Sequence, residues 1–314
     1  MGTIEQAMRT KSPGDGSPDR RCPYCGGATR FRFSASDWNQ HSTPENFDYR
    51  QCASCALIFI DPLPRDIGRF YVRQQYQVPA SAENFELRAS AESWKVDLIR
   101  PHVLSGDLLE VGPATGEFAT AARSAGFSPT LVEMDDACVT FLREKLGHHV
   151  VQSDDPVKAL RDLGLFDAIC VWQTIEHIPR FWTFVAEAAL HLRPGGALVV
   201  STPNPVSFQA RLLGRTWPHA DVPRHLYLVP PNWLLRACQN LGLRPALVTT
   251  RDAGTLGLNH YGWYLWVRNR FGRVLSEKRV KAWATRLTRL FARRELSEGE
   301  GCCYVAILTK DRAA

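Results

Sequence analysis

The chain of 314 residues carries 38 Lys and Arg against 32 Asp and Glu, a net charge of +6, with 45% hydrophobic and 22% charged residues. That usage excludes wholesale disorder and fibrous architectures, and the length suffices for one large α/β domain with additions or for two modest domains. No apolar run approaches the roughly 18 residues of a transmembrane helix, and the moderate basic excess is compatible with nucleic acid or acidic substrates without requiring them.

Residues 1–20 read as a disordered leader, because Ser12-Pro13-Gly14-Asp15-Gly16-Ser17-Pro18 offers nothing to bury. They contain no signal-peptide core, which points to a cytoplasmic protein. From 21 to 63 the pattern is of short strands between two cysteine knuckles, Cys22-Pro-Tyr-Cys25 and Cys52-Ala-Ser-Cys55. Four thiolates gathered from two such pairs suit a tetrahedral Zn²⁺ site in a small zinc-ribbon-like module. A closed site of four cysteines leaves no open coordination position, so the zinc is expected to be structural. The alternatives are a redox pair or unliganded core cysteines, and His41 between the knuckles reads as a surface residue. The other five cysteines, Cys138, Cys170, Cys238, Cys302 and Cys303, read as small buried hydrophobes.

Pro62-Leu63-Pro64 breaks the pattern, and 64–105 reads as a helical connector. From 106 to 253 apolar strands alternate with helical periodicities: strands over 108–111, 130–133, 150–151, 168–172, 197–201 and 245–249, helices over 116–125, 137–146, 181–192 and 231–241. Such alternation predicts βαβ units, a parallel sheet and helices on both faces. Over 254–299 the alternation gives way to aromatic and basic residues at helical spacing, a helical insertion read as a lid. Residues 300–314 supply one last strand and a tail.

The first strand of this series runs straight into a glycine turn, Glu110-Val-Gly112-Pro113-Ala114-Thr-Gly116, where the backbone turns tightly and a ligand can approach without a Cβ in the way. The spacing is not the Gly-x-Gly-x-x-Gly of dinucleotide sites, which weakens the claim of a pyrophosphate. Glu133, 23 residues beyond Glu110, closes the second strand, where a carboxylate can accept both hydroxyls of an adenosine ribose. It could equally be an acid stabilised at a helix N-terminus.

These segments, with Phe166-Asp-Ala-Ile-Cys-Val-Trp172-Gln173-Thr-Ile-Glu176-His177 and Leu192-Arg-Pro-Gly-Gly-Ala-Leu-Val-Val-Ser-Thr-Pro203-Asn204, resemble the successive motifs of class I S-adenosylmethionine-dependent methyltransferases. The stretch Trp217-Pro-His-Ala-Asp221-Val-Pro-Arg224-His225-Leu-Tyr227 is similar to a bacterial subgroup that often carries a cysteine-pair module in front. The resemblance implies a seven-stranded Rossmann-like sheet and S-adenosylmethionine as cofactor. It further implies that Glu110 opens the cofactor motif and that Gly112, Pro113 and Gly116 line the methionine part. Glu133 then holds the ribose, Asp154 sits beside the adenine amine, and Trp172 with Gln173 closes the pocket. Ala114 departs from the glycine usual in the family, and Trp172 reads equally as core.

Methyl transfer is an in-line displacement at a sulfonium carbon, so the protein aligns a nucleophile and sometimes removes its proton. His225 is the first candidate base, because a histidine titrates near working pH. If its loop turns helically, Asp221 four positions earlier could orient it. The alternative is that His225 and Arg224 only anchor the loop. The preferred function is methylation of oxygen or carbon on a small molecule, by family analogy a secondary metabolite or saccharide. An RNA methyltransferase gripping phosphates with the zinc module and the basic insertion is the second reading, and a non-catalytic cofactor-binding protein the third.

Overall fold

The computed structural model describes residues 20–71, 78–79 and 85–312, so the expected leader lies, apart from Arg20, outside the described residues. Three strands follow the first knuckle: β1 (Thr29–Ser36), β2 (Asn46–Cys52) and β3 (Ile58–Ile60), each antiparallel to the next. Two short helices, α1 (Phe85–Ser90) and α2 (Ser93–Ile99), lead into the alternating region.

There the order is β4 (Gly106–Val111), α3 (Glu117–Ser124), β5 (Phe127–Glu133), α4 (Asp136–Glu144), β6 (His149–Gln152), α5 (Pro156–Arg161), β7 (Phe166–Trp172), α6 (Phe181–His191) and β8 (Leu192–Pro203). Next come α7 (Phe208–Leu213), β9 (Tyr227–Leu228), α8 (Pro231–Gln239), β10 (Leu243–Thr249), α9 (Ala253–Phe271), α10 (Glu277–Glu295) and β11 (Cys303–Lys310). Seven strands form one sheet in the order β10-β11-β8-β7-β4-β5-β6, with β4 to β8 parallel and β11 antiparallel between β8 and β10. This is the Rossmann-like α/β architecture expected from the alternation, with the helical pair α9–α10 inserted before the last strand.

The strands read as continuous apolar runs because both faces are covered. In β7 alternate residues part ways: Ala168, Cys170 and Trp172 pack with Val96 and Ile99 of α2 and Phe118 and Ala122 of α3, whereas Ile169 and Val171 pack with Phe181, Phe184 and Val185 of α6. Burying one such Leu, Ile, Val or Phe side chain contributes about 1.5–3 kcal/mol, so the period of two fixes the register of the sheet against its helices.

The cysteine module is not set apart from this core. Its sheet takes a fourth strand from far along the chain, β9, paired antiparallel with β3 through Ile58 and Phe59 opposite Leu228 and Tyr227. Tyr24 of the first knuckle packs edge-on against Trp182 and Trp233. The helical pair also reaches the module, since Arg268 Nη2 donates to the Asn39 carbonyl at 3.3 Å. The five cysteines outside the knuckles are all buried. Among the described residues no helix is long and apolar enough to cross a membrane.

Candidate active site

Strand order reverses at β4, which has β5 on one side and β7 on the other, and a crevice opens outside the carboxyl ends of strands at such a point. The turn after β4 occupies it. Gly112 (φ 72°) donates its N–H to Val132 at 2.9 Å, and a Cβ on it would stand 2.6 Å from Thr174 Oγ1. Gly116 (φ 84°) starts α3, where a Cβ would meet Leu142 at 2.3 Å. Both positions therefore require glycine for conformation and for space. The Pro113 carbonyl accepts from Gly116 N at 2.8 Å and closes the turn. Ala114 adopts the same left-handed region, with φ 51°, so the departure from glycine costs backbone strain.

Ala114 N donates to Glu133 Oε2 at 3.0 Å, while Glu133 Oε1 accepts from Met134 N and Asp135 N at 2.8 and 2.9 Å. The carboxylate is thus fixed at the end of β5 with its plane set by backbone amides. Burial outweighs these three donors and raises its pKa. Asp154, just beyond β6, is exposed and lies next to Asp155, the residue that caps α5.

Glu110 and Trp172 share the sheet face covered by α2 and α3. Both present buried polar atoms without a hydrogen-bond partner, Glu110 Oε2 and Trp172 Nε1. Burial pushes the Glu110 carboxyl up to about 8, with Lys95 acting in the opposite sense. Lys95 Nζ stands 4.8 Å from the Trp172 ring, and Trp94 and Phe118 pack against the same indole. Trp94 and Lys95 went unnoticed in the sequence because α2 precedes the glycine turn and carries no motif. Gln173, with φ 49°, points toward β8 and β11 instead, donating to Ser201 Oγ at 2.8 Å with Cys303 Sγ 3.7 Å from its Oε1.

One turn beyond β7 stands a second buried group. Glu176 Oε2 accepts from Thr202 Oγ1 of β8 at 2.9 Å, whereas Oε1 has no hydrogen-bond partner and faces His225 Nε2 at 3.8 Å. The His177 and His225 rings meet edge to face, 4.6 Å between centroids. Desolvation holds both imidazoles neutral, His177 below its ordinary value and His225 at about 3, with His177 adding to the effect on His225. Burial raises Glu176 to about 8.

The loop does turn helically, with His225 N donating to the Asp221 carbonyl at 3.1 Å, but the expected Asp221–His225 side-chain pair is not formed. Asp221 accepts instead from Arg224 Nε and Nη2 (2.8 and 2.6 Å) and from Asn39 Nδ2 (2.6 Å). A guanidinium offering two parallel donors satisfies a carboxylate better than one imidazole N–H can. His225 Nδ1 lies on the His219 carbonyl at 2.9 Å, and Tyr49 OH donates to the His225 carbonyl at 2.5 Å. Tyr227 is drawn away from the crevice into β9, packed against Phe181 and Trp182.

In the module, Cys22, Cys25, Cys52 and Cys55 come together with their sulfurs within 4.8 Å of one another. Cys22 and Cys55 are 3.7 Å apart and Cys25 and Cys52 3.5 Å, close to the edge of about 3.8 Å of a tetrahedron with Zn–S bonds of about 2.3 Å. Cys55 N approaches Cys52 Sγ at 3.3 Å, so a backbone donor already faces a would-be thiolate. The donor set therefore fits zinc. His41 is exposed and takes no part. The basic residues of α10, among them Lys278, Arg279, Lys281, Arg286, Arg289, Arg293 and Arg294, are exposed.

A sequence model described as "Methyltransferase domain" matches residues 87–248. The chain is 30% identical over 114 residues to a ubiquinone biosynthesis O-methyltransferase of Xanthomonas campestris pv. campestris, covering 34% of this chain and 48% of that protein. The chain thus spans about half the length of the first such relatives. It is 25% identical over 217 residues to the protein of the same name from Xanthomonas euvesicatoria, covering 66% and 85% respectively. Among solved structures, a SAM-dependent methyltransferase from Archaeoglobus fulgidus aligns over 73% of this chain and 97% of its own at 17% identity, with a TM-score of 0.49.

Proposed function

The chain belongs to the methyltransferase-domain family, and on that premise we propose that it moves the methyl group of S-adenosylmethionine to an oxygen or carbon of a small molecule seated against Glu176, His177 and His225. One observation carries the reading. At a single strand-order reversal, a glycine turn with two unpartnered buried polar atoms beside it adjoins an unpartnered carboxylate oxygen that faces an imidazole.

Gly112, Pro113 and Gly116 leave room for the cofactor's backbone-hugging part, and Glu110 Oε2 offers its unused lone pairs to a cationic amine. Glu133, oriented by three amides, keeps acceptor capacity for ribose hydroxyls, while Asp154 borders the base and Trp172 walls the pocket; the Gln173 side chain, held on Ser201, does not join that wall. When bound, S-adenosylmethionine supplies a methyl carbon activated by the adjoining sulfonium charge. The chain's own residues then need only hold the acceptor in line and favour loss of its proton, the task of the group around His225. Relatives named O-methyltransferases support an oxygen acceptor. The four module cysteines are proposed to hold one structural Zn²⁺. The basic face of α10 is read as solvated, so RNA is not proposed as the acceptor.

Two measurements test the reading. Calorimetry should find S-adenosylmethionine binding and no NAD binding; the reverse result overturns it. His225→Ala should then slow methyl transfer on the order of 10²-fold or more while leaving cofactor affinity unchanged, because His225 is not among the cofactor residues.

A further inference from the structure

We propose that Glu176, His177 and His225 together hold a divalent transition-metal ion, separate from the zinc of the cysteine module. Their ligating atoms already lie within 4.8 Å of one another, a convergence of residues from the turn after β7 and from the loop before β9.

His225 Nδ1 lies 2.9 Å from the His219 carbonyl and His177 Nδ1 lies 3.0 Å from the Arg224 carbonyl. A carbonyl only accepts, so the His225 ring carries its proton on Nδ1 and its lone pair on Nε2, whereas His177 Nδ1 is shared between the Arg224 carbonyl and the Tyr71 hydroxyl at 2.8 Å. A backbone carbonyl that fixes the far nitrogen in this way is the usual support of a metal-bound histidine, orienting the ring and its free lone pair. Glu176 completes the set: Thr202 engages Oε2, leaving Oε1, buried and without a hydrogen-bond partner, 3.8 Å from the His225 Nε2 lone pair. Two electron pairs facing each other across that distance repel unless a positive charge stands between them, either the proton of a neutral Glu176 carboxyl or a metal ion that takes its place. Nearby side-chain charge also favours a cation, because Arg224 is matched by two carboxylates, Asp37 and Asp221, before Glu176 is counted.

Two imidazoles and one carboxylate select zinc, cobalt, iron or manganese over the all-oxygen preference of calcium and magnesium. Three protein ligands leave coordination positions open, and these suit an oxygen of the acceptor. That last step rests on the methyltransferase reading; metal binding itself does not.

The test adds Co²⁺ to zinc-loaded full-length protein. Zinc retains the cysteines, since cobalt binds N/S sites more weakly. The expected result is uptake of one Co²⁺ per chain, with weak visible bands and no thiolate charge-transfer band. Glu176→Gln, which preserves shape and the Thr202 contact, should weaken uptake at least tenfold, and His225→Ala should abolish it, both variants keeping their zinc and their S-adenosylmethionine affinity. No uptake beyond the cysteine site, a thiolate band, or equal uptake in both variants overturns the proposal. Failure of wild-type protein to bind S-adenosylmethionine while taking up Co²⁺ would strike the methyltransferase reading alone.

Discussion

Asp37 and Arg224, 187 positions apart, form a buried two-pronged ion pair with both prongs at 2.9 Å. Asp37 belongs to the cysteine module and Arg224 to the loop that carries His225, so the module holds that loop directly. Although burial pushes the Asp37 carboxyl up, Arg224, Ser42 and the Gln40 amide outweigh it and hold the group well below the usual carboxylate range.

Asp37→Ala should therefore destabilise the protein by about 3 kcal/mol, the low end for breaking a buried pair because Asp221 still partners Arg224. The sign with pH follows from the depressed value: the contribution is complete above the unfolded carboxyl pKa of about 3.9 and is lost as pH falls through the lower folded value. Urea melts of wild type and variant from pH 7 down to pH 3 measure this. A difference that does not shrink at the acid end would contradict it.

Glu110 has the opposite sign. Its folded pKa of about 8 lies above the 4.5 of a free side chain, so between those values the folded state binds the extra proton and stability declines as pH rises. A cationic amine docking on Oε2 should expel that proton. S-adenosylmethionine affinity is then expected to increase with pH up to about 8, with proton release visible as a buffer-dependent calorimetric enthalpy. Glu110→Gln should flatten the profile.

Ala114 holds φ 51° in a turn whose neighbours Gly112 and Gly116 are also left-handed. Relief of Cβ strain exceeds the entropy that glycine adds to the unfolded chain, so Ala114→Gly should stabilise by up to about 1 kcal/mol. Thermal melts decide the matter, and a lower midpoint in the variant would show the alanine to be unstrained.

Cys52→Ser should release the zinc, since a closed tetrahedral site of four sulfurs tolerates no missing ligand, and structural zinc contributes folding energy outright. Tyr49, three residues before Cys52 on the same strand, bonds the His225 carbonyl. Zinc loss is thus expected to slow methyl transfer as well as lower stability. Elemental analysis paired with single-turnover rates checks both, and an undiminished rate in metal-free protein would uncouple module from site.

Continuous apolar strands, 3.6-residue helical patterns, the glycine turn and the paired cysteines are all written in short windows, because they reflect backbone sterics and local burial. The sequence by itself therefore determined the alternating sheet, the helical pair before β11, the turn at Gly112–Gly116 and the gathering of four cysteines. It could not determine partners chosen among distant polar groups. Asp221 and His225 were plausible mates at a spacing of four, yet Arg224 and Asn39 took the aspartate, and Glu176, 49 residues before His225, faces the imidazole instead. Nor does any local pattern in Tyr227–Leu228 announce that this dipeptide closes the module's sheet on β3. Such choices depend on which donors and acceptors packing brings within 3 Å once the apolar faces are buried, and only the tertiary structure decided them.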